Sequence, residues 1–386
     1  MRLRPLFPPR ERQGEKTTFR NKGQQGVGHE TVNGTLRLKR VRWWSHDQGC
    51  DETLDGLIGL AAEKVSLGVR QMCCRVAVNQ QGFGRSAEHL SQLAQIRISP
   101  ERLRVIAERE GRRVLEVTAA GGLPASFLAG DCETAPNGPT RLYTGVDGVK
   151  VPMVTAEEKA KRRRNRGKKR VGSRRRRMRR GADNRYKEFK IATFYDELND
   201  HRQVAATSGD HQVLGRLVRR EASRLRLTDA DEKIAVVDGA DWIRNQLNRN
   251  VPVLDAIVLD FYHLSERIWS AANSGLGQES EPAKTFAGKL LHLAKHEGVA
   301  ALLAEIESMR KSLRGATKRQ ALSDLLNYIG PRAAMCDYPS FVERGWQIGS
   351  GPTEAMCKVL TYRLKGPGMR WDRPGAEAIM ALIALQ

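Results

Sequence analysis

The spacing of apolar residues changes twice along the chain, and each change marks a different kind of structure. Residues 1–50 are rich in Gly, Arg, Lys and Gln with little periodicity, so a loosely ordered basic start is expected, apart from a strand-like run at 35–44. From Asp51 the pattern turns helical, with Leu54, Leu57, Ile58, Leu60 and Ala61 at helix spacing. Ser86 and the run Ser99-Pro100-Glu101 carry N-cap signals, the second with Pro at the first helical position and an acid that suits the helix dipole. They predict helices over 86–94 and 100–112, within a mainly helical region spanning 51–130. Two such helices fit a helix-turn-helix over 86–112 as well as they fit an ordinary helical hairpin. A stretch rich in Gly, Pro and Ala at 119–139 reads as a linker.

Beyond it the period shortens. Strands are predicted at 142–153, 186–196 and 202–207, followed by two short β-branched runs at 234–237 and 256–259. Each of those two runs is followed at once by an aspartate, Asp238 and Asp260. Helical segments at 212–227 and 242–248 separate the last strands, and strands separated by a helix usually pair in parallel. The expected fold class is therefore α/β, a mixed sheet covered by helices. From 264 to 344 every segment is helical in pattern, which predicts an all-α insertion after the fifth strand. Gly349-Ser350-Gly351-Pro352-Thr353-Glu354 then opens another helix.

Charge adds a partner to this plan. Lys and Arg number 66 against 44 Asp and Glu, a formal charge of +22, which points to a polyanion. Fifteen of those basic residues fall within 159–180, where no acid occurs. Arg162, Arg163, Arg164, Lys168, Lys169, Arg170, Arg174, Arg175, Arg176 and Arg177 belong to this block. So dense a run of like charge cannot fold alone, so a mobile arm is expected, suited to binding nucleic-acid phosphates without reading sequence. The other reading of the block is a solubilising loop. No run approaches the roughly 18 apolar residues of a membrane span, and no signal-peptide core opens the chain, so no membrane partner and an intracellular location are expected. The six cysteines are scattered without a CxxC pair, so neither disulfides nor zinc are expected.

The candidate chemistry lies in acids. Asp147 falls in the first strand of the α/β region, Asp238 at the end of the fourth, and Glu354 in the first turn of the late helix. Strand ends and the helix N-termini facing them form the natural site of open α/β sheets. Converging carboxylates suit hard divalent cations, and with two ions they suit phosphodiester cleavage or transfer without a protein nucleophile. Each acid has a competing reading: Asp147-Gly148 is a common turn pair, Asp241 and Asp260 rival Asp238, and Glu377 rivals Glu354.

The element order and four motifs resemble a known family. Val146-Asp147-Gly148, Val237-Asp238-Gly239-Ala240-Asp241-Trp242-Ile243, Leu259-Asp260-Phe261-Tyr262-His263-Leu264 and Gly349-Ser350-Gly351-Pro352-Thr353-Glu354 resemble bacterial insertion-sequence transposases of the DDE superfamily. The nearest kind is the ISKra group, similar in plan to Mutator-like transposases, and the resemblance covers roughly 141–385. It implies a ribonuclease-H-like catalytic core in two parts, 140–263 and 345–386, split by the insertion at 264–344. It implies an Asp147, Asp238 and Glu354 triad holding two Mg2+ or Mn2+ ions. It makes Asp260 and His263 a supporting Asp-x-x-His pair. Arg363, Lys365, Arg370 and Trp371, with Gly368 and Met369, become a tract that touches the ends of the element, with a core anchor as the equal alternative for Trp371. The implied activity is DNA cleavage and strand transfer in transposition, on terminal inverted repeats and target DNA, by a dimer or higher assembly in the bacterial cytoplasm, associated with the nucleoid. Two features depart from the family: only Cys50 stands where relatives carry a cysteine-rich segment, and the basic arm is unusually long. A non-catalytic nucleic-acid-binding protein and a ribonuclease-H-like nuclease without strand transfer remain the competing readings.

Overall fold

The computed structural model describes residues 11–13, 18–47, 49–50, 64–164, 185–366 and 369–385. Contacts divide the chain into two units, Met1–Glu116 and Val117–Gln386.

The first unit opens on a four-stranded antiparallel sheet, β1 (Glu11–Gln13), β2 (Thr18–Thr31), β3 (Gly34–Ser45) and β4 (Gly49–Cys50), paired in chain order. This corrects the expected loosely ordered start, while the strand-like run at 35–44 is found as β3. The reason it escaped the pattern is exposure: in β2 only Phe19, Val27 and His29 are buried, so two-residue alternation is almost absent. A register shift between Asn21 and Gln24 accompanies Gly23 in the left-handed region at φ 84°, as at a bulge. Three helices follow: α1 (Leu67–Asn79), α2 (Phe83–Ala94) and α3 (Pro100–Ala119). Ser99 caps α3 as its sequence requires, its Oγ accepting from the Arg102 N–H at 3.2 Å. Ser86 is not a cap. It sits inside α2, its hydroxyl donating to the carbonyls of Val76 and Gly82, both at 3.0 Å, and Gly82 holds the cap position. The helical run at 51–63 lies outside the described residues.

The second unit is α/β. Five strands, β5 (Arg141–Met153), β6 (Arg185–Asp196), β7 (Arg202–Thr207), β8 (Glu232–Val237) and β9 (Ala256–Leu259), form one mixed sheet in the order β7-β6-β5-β8-β9. The β7–β6–β5 side is antiparallel, and β8 and β9 pair in parallel with what precedes them. Ile234, Ala235, Val236 and Val237 are all buried, as a central parallel strand covered on both faces requires. Helix α4 (Ala156–Arg164) lies between β5 and β6, α5 (His211–Arg224) between β7 and β8, and α6 (Asp241–Asn250) between β8 and β9. Residues 119–139 are not a free linker, because Phe127, Ala129 and Cys132 are buried and the Ala129 N–H donates to Leu225 O at 2.8 Å.

The basic block is likewise not mobile from its start. Residues 159–164 belong to α4, which begins with Glu157 and Glu158 and holds Lys159 against Asp372. Arg163 and Arg164 are exposed there. Lys168, Lys169, Arg170 and Arg174 to Arg177 lie outside the described residues.

After β9 come α7 (Phe261–Leu276), α8 (Glu281–His296), α9 (Val299–Ser312), α10 (Ala316–Ile329) and α11 (Tyr338–Glu343). They bury Leu290, Leu302, Ile306, Leu322 and Ile329 in a core continuous with that of the sheet. Helices α12 (Gly351–Lys365) and α13 (Arg373–Ile383) close the unit. Among the described residues no helix is long and apolar enough to cross a membrane.

Candidate active site

Strand register brings three aspartates to one level. Val146 of β5 pairs with Val237 of β8, and Val237 pairs with Leu259 of β9. Asp147, Asp238 and Asp260 are the next residue in each case, on strands that neighbour one another at the usual spacing of about 4.8 Å. Asp147 is not a turn residue: it pairs with Ile191 in mid-ladder, and Gly148 pairs with Lys190.

Helix α12 delivers the fourth acid by packing directly on β5 and β6. A Cβ on Gly145 would come 1.8 Å from Thr353 Oγ1 and 2.5 Å from Thr193 Oγ1, so only glycine allows this approach. The two threonine hydroxyls bond at 2.9 Å across the contact. The next residue, Glu354, is half-buried in the first turn, and its carboxylate makes no hydrogen bond or ion pair among the described residues.

Asp260 anchors the arrangement. It is fully buried at the N-terminus of α7. Its Oδ1 accepts from the N–H groups of Tyr262 at 3.1 Å and Ser350 at 3.3 Å. Its Oδ2 accepts from the Ser350 hydroxyl at 2.9 Å and meets His263 Nδ1 at 2.6 Å. Those contacts fill the roughly four lone-pair positions a carboxylate offers. Burial alone would raise the Asp260 pKa, but the bonds from His263, Ser350 and Tyr262 outweigh it and hold the group below the ordinary aspartate range. His263 is raised, chiefly by its bond to Asp260.

The other acids feel one another. Burial first, then the charges of Asp147 and Asp260, push Asp238 up, against the Ala240 N–H that donates to its Oδ1 at 2.9 Å. Burial raises the Cys357 thiol, and the charges of Asp147 and Glu354 raise it further, which ties both acids to one thiol. Among the described residues the group of three whose ligand atoms gather within 4.8 Å is Asp260, His263 and Glu354. The structure thus gathers Glu354 with the supporting pair rather than with both Asp147 and Asp238. Unscreened carboxylates repel, and the imidazole of His263 is the group there that can carry positive charge.

The rival acids are engaged elsewhere. Asp241 pairs with Arg332 at 3.0 Å and Arg244 at 3.1 Å, and Glu377 bonds Ser208 and Arg373. Arg363 is a correction. It is 1% exposed, stacked 5.0 Å from the Trp371 ring, and burial lowers its pKa to about 10, so it is a core residue and not a surface contact. Trp371 is buried too and donates to Leu364 O at 3.2 Å, which makes it the core anchor. Lys365 and Arg370 stay exposed. Sequence reasoning missed Gly145, Thr193, Thr353 and Ser350, which position the acids, and Tyr328 and Arg332, which bond the carbonyls of Asp238 and Gly239 at 3.3 and 2.7 Å. The proximity of Ser350 and Thr353 to Glu354 was the one signal available.

No protein-family model matches the chain, and no curated protein matches it either.

Proposed function

We propose that the chain is a DDE-type transposase with a ribonuclease-H-like core that cuts and joins DNA. The observation that carries this reading is the common level of Asp147, Asp238 and Asp260 at adjacent strands, with Glu354 packed above them through Gly145. The sheet order supports it: three antiparallel strands followed by two parallel ones, with a helical insertion after the fifth, is the plan the family resemblance implies.

Asp147, Asp238 and Glu354 are all carboxylates, the donor type that suits hard divalent cations. Asp147, Asp238 and Glu354 would hold Mg2+ or Mn2+. Asp260 would not, because its oxygens are already filled by Ser350, Tyr262 and His263. When bound, two such ions activate the attacking hydroxyl and stabilise the leaving oxygen. The chain's own residues do the positioning. Asp260 fixes the start of α12, and so Glu354, while Tyr328 and Arg332 hold the loop that carries Asp238. His263, oriented through Nδ1 and raised in pKa, is placed to supply positive charge or a proton beside Glu354. DNA would be the substrate, read at the element ends by the first unit and gripped by the basic block, with two copies needed to bring two ends together in the cytoplasm, at the nucleoid.

The test is cleavage and joining of labelled element-end DNA with Mg2+ or Mn2+, wild type against Asp238→Asn. Metal-dependent nicks and joined products, lost in the variant with binding kept, are expected. Nicks without joined products would leave a nuclease, and binding with no cutting under either metal would sink the catalytic reading.

A further inference from the structure

Away from the acids, α5 and α6 enclose a groove with a single chemical character. The two helices lie side by side because Gly215 has no side chain: a Cβ there would come 2.1 Å from Gln246 Oε1 and 2.5 Å from Asn250 Nδ2. The space between them, about 190 Å3, is lined by Gln212, Arg216, Arg219, Gln246, Arg249 and Asn250. It contains three guanidiniums and three amides, with no carboxylate and no apolar side chain. Helical spacing explains the convergence, since Gln212, Arg216 and Arg219 follow at i, i+4 and i+7, and Gln246, Arg249 and Asn250 at i, i+3 and i+4.

What separates these arginines from their neighbours is that they are unengaged. Arg220 and Arg224 on the same helix both pair with Glu221, and Arg244 on α6 pairs with Asp241. Arg216, Arg219 and Arg249 make no ion pair among the described residues. Arg216 acts at long range on Asp210, whose depressed pKa owes most to the Val213 N–H it caps at 2.8 Å. The Gln246 and Asn250 amides are already joined at 3.2 Å, which fixes them at the groove wall. Arg216, Arg219 and Arg249 are exposed, and three like charges facing one groove raise the local attraction for an anion. A tetrahedral oxyanion is the anion that planar guanidinium forks and amide N–H groups match best.

We infer that this groove is a phosphate-binding site, open enough to take the phosphodiester backbone of DNA. Its phosphate chemistry stands independently, whereas the choice of DNA as the source rests on the proposed function. It is distinct from the acid site, because Arg249 lies in the last turn of α6, about 12 Å along the helix from Asp241.

The experiment is DNA binding in EDTA, so that it is separate from any metal-dependent cutting. Affinity for a labelled mixed-sequence duplex is measured between about 50 and 200 mM salt for wild type, the triple variant Arg216→Gln, Arg219→Gln, Arg249→Gln, and the same triple change to Lys. The expected result is a slope of log K against log salt that is shallower by roughly 2 to 3 in the Gln variant and kept in the Lys variant. Calorimetry with inorganic phosphate forms the second arm. A phosphate heat seen in wild type and lost in the Gln variant, with unchanged DNA slopes, would assign the groove to free phosphate. Unchanged slopes and no phosphate heat overturn the inference. Should the Gln variant fail to fold, wild-type calorimetry and the Lys variant still decide.

Discussion

At Gly145 and Asp260 the contacts leave little room for another residue: a Cβ on Gly145 would meet Thr353, and Asp260 is bonded on both oxygens. Gly145→Ala places a methyl group where Thr353 and Thr193 already meet, so a loss of about 1–3 kcal/mol or more is expected in urea denaturation. Adding Thr353→Ala should recover part of it, and full stability of the single variant would disprove the close contact. The Asp260–His263 pair yields a pH signature. Asp260 is held below the ordinary value of 3.8, so its contribution is present above that value and lost as pH falls through its folded pKa. His263 is held above 6.5, so its contribution is complete below that value and lost as pH rises through its folded pKa. Together they stabilise most between those two values. The stability of wild type minus that of the double variant Asp260→Asn, His263→Gln, measured in EDTA, should shrink as pH rises past neutrality. A difference that stays flat into the alkaline range would rule out the coupling.

At the scale of elements, the helical insertion and α12 do different work from what their sequences suggest. Arg332, in the short turn after α10, donates to Gly239 O at 2.7 Å and Tyr328 O at 2.8 Å and pairs with Asp241. Arg332→Leu removes these charge-assisted bonds and should cost about 1.5–3 kcal/mol. On the proposed function, cutting should fall more than DNA binding in the variant, because the loop carrying Asp238 loses its support. The end of α12 separates core from surface among residues that look alike in sequence. Trp371→Ala should cost about 3–5 kcal/mol, since the ring is 4% exposed. Lys365→Gln and Arg370→Gln should leave the melting temperature unchanged and, on the proposed function, each lower the salt slope of DNA binding by about 0.9. Equal losses of stability across all three would contradict the burial pattern.

For the whole molecule, on the proposed function, the charge of +22 should make binding to any duplex strongly salt-dependent, and deleting 165–180 should flatten that dependence, as a salt titration of duplex affinity would measure. Sequence alone determined the α/β class, the strands at 202–207 and 256–259 to the residue, the helical insertion, and the acids worth examining, because the central strands at 234–237 and 256–259 are written as short apolar β-branched runs, each followed at once by an aspartate. It marked β3 as a strand-like run but could not show β2 or its pairing, since the exposed faces of β2 carry almost no alternation, nor that Arg363 is buried while Lys365 is not. It could not choose between Asp238 and Asp241, since both follow the same strand. Only the tertiary structure bears on these, through contacts between residues far apart in the chain: Arg332 pairs with Asp241, Ser350 and His263 fill Asp260, and Gly145 admits Thr353. Local propensity is readable from neighbours in sequence, but the availability of a carboxylate depends on what packs against it, which is a property of the fold.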